Sequence, residues 1–279
     1  MDRLTADLVR RNLPTDVFGQ NVISVDQTGS TNTELKTLAD QGAPEGTLYL
    51  ANEQVAGRGR LNRAWVAPVG SGLLFSLLFR PVNVVPPPQA QRLTMLCALA
   101  MADAIQAQIG VIALLKWPND LLWRDGKKLA GILTELDIAD NRLAWAIVGI
   151  GLNVNVDFTT APFSAPPTGR PGSDGPPLAA IATSLSMILG RDTSADRLPI
   201  LQKFLFNVEQ RYEALKNGQL PHSEWAARLA GIGQSVTVTG ADKTYHGLML
   251  GVNKDGALLL KQANGVIETI LAGDVTLRH

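Results

Sequence analysis

Between residues 111 and 156 the sequence offers four strand candidates in succession, at 111–117, 119–124, 128–137 and 142–156, with no helical stretch among them. Asp125-Gly126, between the second and third candidates, is the dipeptide of a tight hairpin. Long helical patterns flank this block. Residues 86–110 open on prolines and close on Gly110, with Leu93, Leu96, Ala100 and Ala104 on one face. Further helices are predicted at 178–190 (stripe Leu178, Ile181, Leu185, Ile188), 195–217 and 222–230. Hairpins mixed with long helices predict an α+β fold rather than an alternating parallel sheet.

Ahead of the block, 1–13 reads as a short amphipathic helix, and 21–30, 46–54 and 71–81 read as strands. Thr31 and Glu34 match a capping box ahead of Leu35 and Leu38. Residues 157–177, rich in Pro, Gly, Ser and Thr, predict a long surface loop. After Gly231 the texture changes to short strands with turns such as Asn253-Lys254-Asp255-Gly256. These last 48 residues predict a small β-barrel or meander, so the expected division is 1–231 and 232–279.

With 25 Lys+Arg against 25 Asp+Glu, the chain has no general basic coat for nucleic acid or membrane surfaces. One cysteine, Cys97, excludes an internal disulfide and argues against a cysteine metal site. No apolar run reaches the ~18 residues of a membrane span. "MDRLTADLVRRNLP" has no signal-peptide pattern. The expectation is a cytoplasmic protein.

Four segments could carry chemistry. "AGRGRLNRAW" (56–65) gathers Arg58, Arg60 and Arg63 with Gly57 and Gly59 and no acid. Guanidinium forks suit carboxylate and phosphate oxygens, and glycine permits close approach of backbone to ligand. The alternative is a solvated basic turn. In "KWPNDLLWRDGKKLAGILTEL" (116–136), Lys116, Asn119 and Asp120 sit at a strand end. Lys128 precedes an apolar run and stands at a pocket mouth, while Lys127 reads as a turn residue and Trp117 as core. Asp120 could hold Mg²⁺, bond a hydroxyl or cap a turn. In "VGIGLNVN" (148–155), Gly149 and Gly151 leave one strand face bare, for a ligand or for another part of the chain, and Asn153 and Asn155 continue that face. In "GSTNTELK" (29–36), Ser30, Thr31 and Asn32 cluster at a helix start, where capping and ligand binding are both open. His222, His246 and His279 have no metal spacing, and no Ser-His-Asp arrangement is suggested.

Taken in order, "GSTN", "EQVAGRGRLNRAW", "KWPNDLL…KKLAGILTE" and "VGIGLNVN" resemble the biotin protein ligases over about residues 24–156. The resemblance implies a class II synthetase-like catalytic domain followed by a small C-terminal SH3-like β-barrel. It implies that biotin and Mg-ATP form biotinyl-5′-AMP, and that a lysine of the biotin carboxyl carrier protein of acetyl-CoA carboxylase then takes the biotinyl group. No tightly bound cofactor is implied. By the same resemblance, Ser30, Thr31 and Gln54 bond the ureido ring, and Gly57, Arg58 and Arg60 belong to a closing loop. Lys128 meets carboxyl and phosphate oxygens, Trp65 packs beside adenine, and Gly149, Gly151 and Asn153 lie near the biotin tail and adenylate. Arg58, Arg60 and Lys128 form the implied catalytic set. Asn32, Gly59, Arg63, Lys116, Asn119, Asp120 and Gly131 complete the implied substrate-binding set, with Asp120 as the Mg²⁺ ligand.

The sequence departs from that family's pattern at Leu61 and Asn62, where Arg-Gly is typical, which predicts a stiffer, less self-repelling loop. No helix-turn-helix segment precedes the body, so no operator binding is expected. Homodimers occur among such proteins, but no strand here marks an interface. The rival readings are a lipoate or octanoate ligase on the same scaffold, a nucleic-acid-binding module, and an inactive scaffold.

Overall fold

A computed structural model describes residues 3–160, 176–190, 193–240 and 242–277. Its first half runs α1 (Ala6–Arg10), β1 (Val22–Thr28), α2 (Thr31–Asp40), β2 (Leu48–Gln54), β3 (Gly72–Phe79), α3 (Gln91–Ile109), β4 (Leu114–Lys116), β5 (Asp120–Leu122), β6 (Lys128–Ala139) and β7 (Arg142–Asn153). Then follow α4 (Leu178–Ile181), α5 (Leu185–Leu189), α6 (Arg197–Lys216), α7 (His222–Ala227), β8 (Ser235–Thr239), β9 (Thr244–Val252), β10 (Leu258–Lys261), β11 (Ile267–Ile270) and β12 (Asp274–Leu277).

Seven strands form one sheet in the order β1-β2-β3-β7-β6-β5-β4. Only β1 and β2 pair parallel, because α2 carries the chain back between them. Every other neighbour in this sheet is antiparallel, and β4 to β7 follow one another through short turns. The predicted hairpin turn is present: Gly126 takes φ 82° and Trp123 N donates to Lys127 O at 2.9 Å.

Alternation divides the two faces of this sheet. Leu73, Phe75, Leu77 and Phe79 of β3, with Ala146, Val148, Ile150 and Leu152 of β7, join the core beneath α3 and α6. On the opposite face Leu78, Trp145 and Ile147 pack against Leu35 and Ala39 of α2. On the same parity Ser76 lies buried under Thr31 and Asn32 at the start of α2, and beyond it Gly149, Gly151 and Asn153 floor the cleft. β3 is buried along its whole length, which is why its sequence reads as an apolar run rather than an alternation.

Three local expectations need correction. Helix 86–110 starts only at Gln91, because Pro87–Gln89 forms a 3₁₀ turn. The helix expected at 178–190 is two short helices. Ala182 is extended and bridges to Lys128, and the Ser184 hydroxyl accepts from Met187 N to start α5. The Thr31–Glu34 box does not form. Ser30 occupies the N-cap without a side-chain cap bond, and Thr31 turns to Gln54. Of the long loop expected at 157–177, residues 161–175 lie outside the described residues.

The C-terminal strands correct a larger expectation. They form an open antiparallel sheet in the order β11-β10-β9-β8-β12, not a closed SH3-like barrel. Edges β11 and β12 are four residues each and do not pair with one another among the described residues. The body covers the inner face instead of a second wall of strands. Val236, Val238, Met249, Leu258 and Leu260 enter the same core as α3. The turn before β10 is pinned to the body: Trp117 Nε1 donates to Gly256 O at 2.9 Å, and Arg92 pairs with Asp255 at 2.8 Å. A Cβ on Gly256 would lie 2.5 Å from Gln91, at φ 86°, so glycine is required there.

Candidate active site

The uncovered strip of the sheet floors a cleft of about 700 Å³. The start of α2 closes one end, the 56–65 loop roofs it, α4 borders one side, and Asp274 and Val275 of β12 reach the rim. Of the predicted site residues, Ser30, Thr31, Asn32, Gln54, Arg58, Gly59, Arg60, Arg63, Trp65, Lys116, Asn119, Asp120, Lys128, Gly131, Gly149, Gly151 and Asn153 all line it. Gly57 does not.

The arginine loop is a small hairpin. Arg58 and Ala64 bridge, Trp65 N donates to Gly57 O at 2.9 Å, and Gly59 N donates to Arg63 O at 2.6 Å. Neither Gly57 nor Gly59 has positive φ. Gly57 is needed because a Cβ would meet Trp65 O at 2.5 Å, a close approach of the loop to itself. The left-handed residue is Leu61, at φ 52° and ψ 39°, an arrangement that costs a non-glycine residue about 1 kcal/mol.

The bare strand face is filled by the chain's own side chains. A Cβ on Gly151 would lie 2.4 Å from the Trp65 ring, and one on Gly131 3.0 Å from both Trp65 and Lys128. Lys128 Nζ stands 5.6 Å from the Trp65 ring centroid and 2.7 Å from Asp120 Oδ1. Trp65 Nε1 is buried with no acceptor among the described residues. A Cβ on Gly149 would strike Asn32 Oδ1 at 2.1 Å. Asn153 is buried and donates to Thr183 O at 3.1 Å, so it ties the β7 end to the α4–α5 junction. Asn155 does not continue the cleft; its amide pairs with the backbone of Ala195.

At the α2 end, Thr31 N and Oγ1 both approach Gln54 Oε1, at 2.8 and 3.1 Å, which leaves the Gln54 NH₂ as a donor at the cleft wall. Ser76 Oγ lies 2.7 Å from Thr31 Oγ1 and 2.6 Å from Asn32 Oδ1. Asn32 Nδ2 donates to Glu135 at 2.7 Å.

The cations are held in distinct ways. Arg60 donates to Asn119 Oδ1 at 3.1 Å, to Asp274 Oδ1 at 3.2 Å and to Gly273 O at 3.2 Å, while Arg63 reaches Asp274 Oδ2 at 2.8 Å. Arg58 instead faces Glu135 and Thr33. Burial pulls the Lys116 ammonium below the ordinary lysine range; Asp120 and Asp274 oppose that shift, and Lys128 and Arg63 add to it. Lys127, expected as a plain turn residue, lines the cleft and donates to Ala179 O at 3.1 Å.

Sequence reasoning missed Ser76, Glu135 and Asp274. Ser76 had a signal: a lone hydroxyl in a fully buried strand must find a partner. Asp274 had none, being 214 residues from Arg60.

Among the described residues no three His, Cys, Asp or Glu side chains converge to hold a metal. Nor is any helix long and apolar enough to cross a membrane. The cleft offers cations, amide donors and an aromatic wall, and among the described residues no His or Cys lines it. Such a site suits reactions that need placement and charge stabilisation. The fold and cleft define a ligase of the class that attaches biotin or lipoate to proteins: residues 24–153 match the Biotin/lipoate A/B protein ligase family, and 231–278 match the Biotin protein ligase C terminal domain.

The chain is 36% identical over 277 residues to the bifunctional ligase/repressor BirA of Bacillus spizizenii, covering 99% of this chain and 79% of that one. It is 34% identical to the biotin–[acetyl-CoA-carboxylase] ligase of Mycobacterium tuberculosis, covering 98% and 97%. The solved biotin protein ligase of Aquifex aeolicus, in complex with biotin and ATP, superposes with a TM-score of 0.70 at 26% identity, covering 93% of this chain and 99% of that one. The chain belongs to the biotin protein ligase family.

Proposed function

We propose that the cleft performs both halves of a biotin ligation: ATP-dependent formation of biotinyl-5′-AMP, then transfer of the biotinyl group to a lysine of a carrier protein. The carrying observation is the convergence of Lys128, Lys116 and Arg60 around one cleft beside the Trp65 indole.

The first step joins two anions. A biotin carboxylate oxygen attacks the α-phosphorus of ATP, a P–O bond forms, and pyrophosphate leaves with the electron pair of the broken bond. Lys128 offsets the carboxylate and α-phosphate charge, and Arg60, fixed on three acceptors, needs little rearrangement to do the same. Ser30, Thr31 and the Gln54 amide are the polar groups assigned to the ureido ring. Trp65, Gly131 and Gly151 form the wall assigned to the adenylate, and the buried Trp65 N–H fits an acceptor there. In the second step the carrier lysine's amine attacks the acyl carbon and AMP departs. The roof shields the mixed anhydride from water.

A Mg²⁺ ion takes one or two carboxylates and completes its shell with phosphate oxygens and water. Asp120, a single carboxylate on the cleft wall, fits that requirement. The ion would neutralise phosphate charge. The carrier domain of acetyl-CoA carboxylase is the proposed acceptor, and the proposed division into units stays at 1–231 and 232–279.

Exchange of labelled pyrophosphate into ATP tests the reading. Exchange should require biotin. Exchange with lipoate but not biotin would reject the substrate, and none with either would reject adenylation.

A further inference from the structure

Glu135 lies on β6, outside the segment of the arginine loop, and is half-buried. Its carboxylate accepts from Arg58 Nη2 at 3.1 and 3.2 Å and from Asn32 Nδ2 at 2.7 Å. Arg58 Nη2 also donates to Thr33 Oγ1 at 3.1 Å. Asn32 is itself wedged over Gly149 and bonded to Ser76. One acidic side chain therefore fastens the base of the loop to the start of α2 and, through it, to the cleft floor.

This arrangement gives Arg58 a different task from Arg60. Arg58 pairs with Glu135 of β6 beside the start of α2, whereas Arg60 shares the Asp274 carboxylate with Arg63 and bonds Asn119 at the β12 end of the cleft. We infer that Arg58 and Glu135 form the latch of the arginine loop, and that Glu135 is a positioning residue for adenylate retention. The second half rests on the ligase reading; the latch itself does not. Neither partner is deeply buried, so the pair stabilises the docked loop modestly.

Glu135→Gln keeps the size of the side chain and removes the charge that holds Arg58. Trypsin cuts after Arg58, Arg60 and Arg63, so the rate of cleavage within residues 58–63 reports undocking in the protein without added ligand. That rate should rise about fivefold in Glu135→Gln while cleavage elsewhere keeps its wild-type rate. Bound biotinyl-AMP should also dissociate about fivefold faster, with Thr33→Ala showing a smaller effect on both. Wild-type loop cleavage overturns the latch, as does faster cleavage spread over the whole chain. Faster loop cleavage with wild-type adenylate retention overturns the positioning role. If the wild-type protein makes no biotinyl-AMP, the ligase reading fails, and loop cleavage still decides the latch.

Discussion

Arg60, in the loop that roofs the cleft, donates to Asp274, the first residue of the last strand, at 3.2 Å across 214 residues of sequence. Arg63 grips the other oxygen of the same carboxylate at 2.8 Å. The C-terminal sheet thus holds the loop at the cleft rim, while Glu135 holds it from β6.

Asp274→Asn should loosen both arginines without changing volume. KM for ATP in pyrophosphate exchange is expected to rise about fivefold, and KM for biotin to stay within about twofold, since the residues proposed for the ureido ring, Ser30, Thr31 and Gln54, lie at the α2 end of the cleft. Equal KM values for ATP in variant and wild type would mean that the clasp does not serve the nucleotide.

Gly151→Ala and Gly149→Ala should separate function from stability. At Gly151 the new Cβ meets the half-exposed Trp65 ring, which can swing away. Adenylate formation is expected to fall about tenfold, with little change in melting temperature. At Gly149 the new Cβ meets the buried Asn32 amide, held by Ser76 and Glu135, so unfolding should cost about 1–3 kcal/mol less. Denaturant titration and single-turnover assays on both variants check the contrast.

On the reverse of the molecule, Arg211 and Arg228 each pair with Asp103 and Glu224. The Arg211 hydrogen bond, opposed by burial, holds the Glu224 carboxyl below the ordinary glutamate range. A carboxylate depressed by folding adds stability that is full above its unfolded pKa and is lost as pH falls through the folded value. The wild-type melting temperature should therefore fall more steeply below about pH 4.3 than that of Glu224→Gln. Glu224 is half-exposed, so the difference should stay under about 1 kcal/mol. Parallel melting curves would show that the ring contributes nothing through this residue.

Much of this organisation is legible in the sequence, and what is not has identifiable causes. The hairpin block follows from strand spacing and Asp125-Gly126, and the cleft face from the common parity of Gly149, Gly151 and Asn153. The reason for the glycines was only half visible. Bareness can be read locally, but whether ligand, Asn32 or Trp65 fills it depends on elements distant in sequence. The same holds for Glu135 and Asp274, ordinary surface acids until the loop folds between them. The apolar stripe at 178–190 hid the break at Ala182, because the backbone bridge to Lys128 outweighs helical propensity there. Alternation in the last strands is equally compatible with a barrel and with an open sheet. The body's apolar surface, which made closure unnecessary, is a tertiary fact.

The central claim is that Lys128, set between Asp120 and the Trp65 ring, offsets the charge of two mutually repelling acids during adenylation. Single-turnover formation of biotinyl-AMP by Lys128→Met, at saturating biotin and ATP, tests it most directly. The rate should fall about hundredfold or more while the melting temperature changes little. A rate within about threefold of wild type would contradict the claim and move the charge stabilisation elsewhere in the cleft.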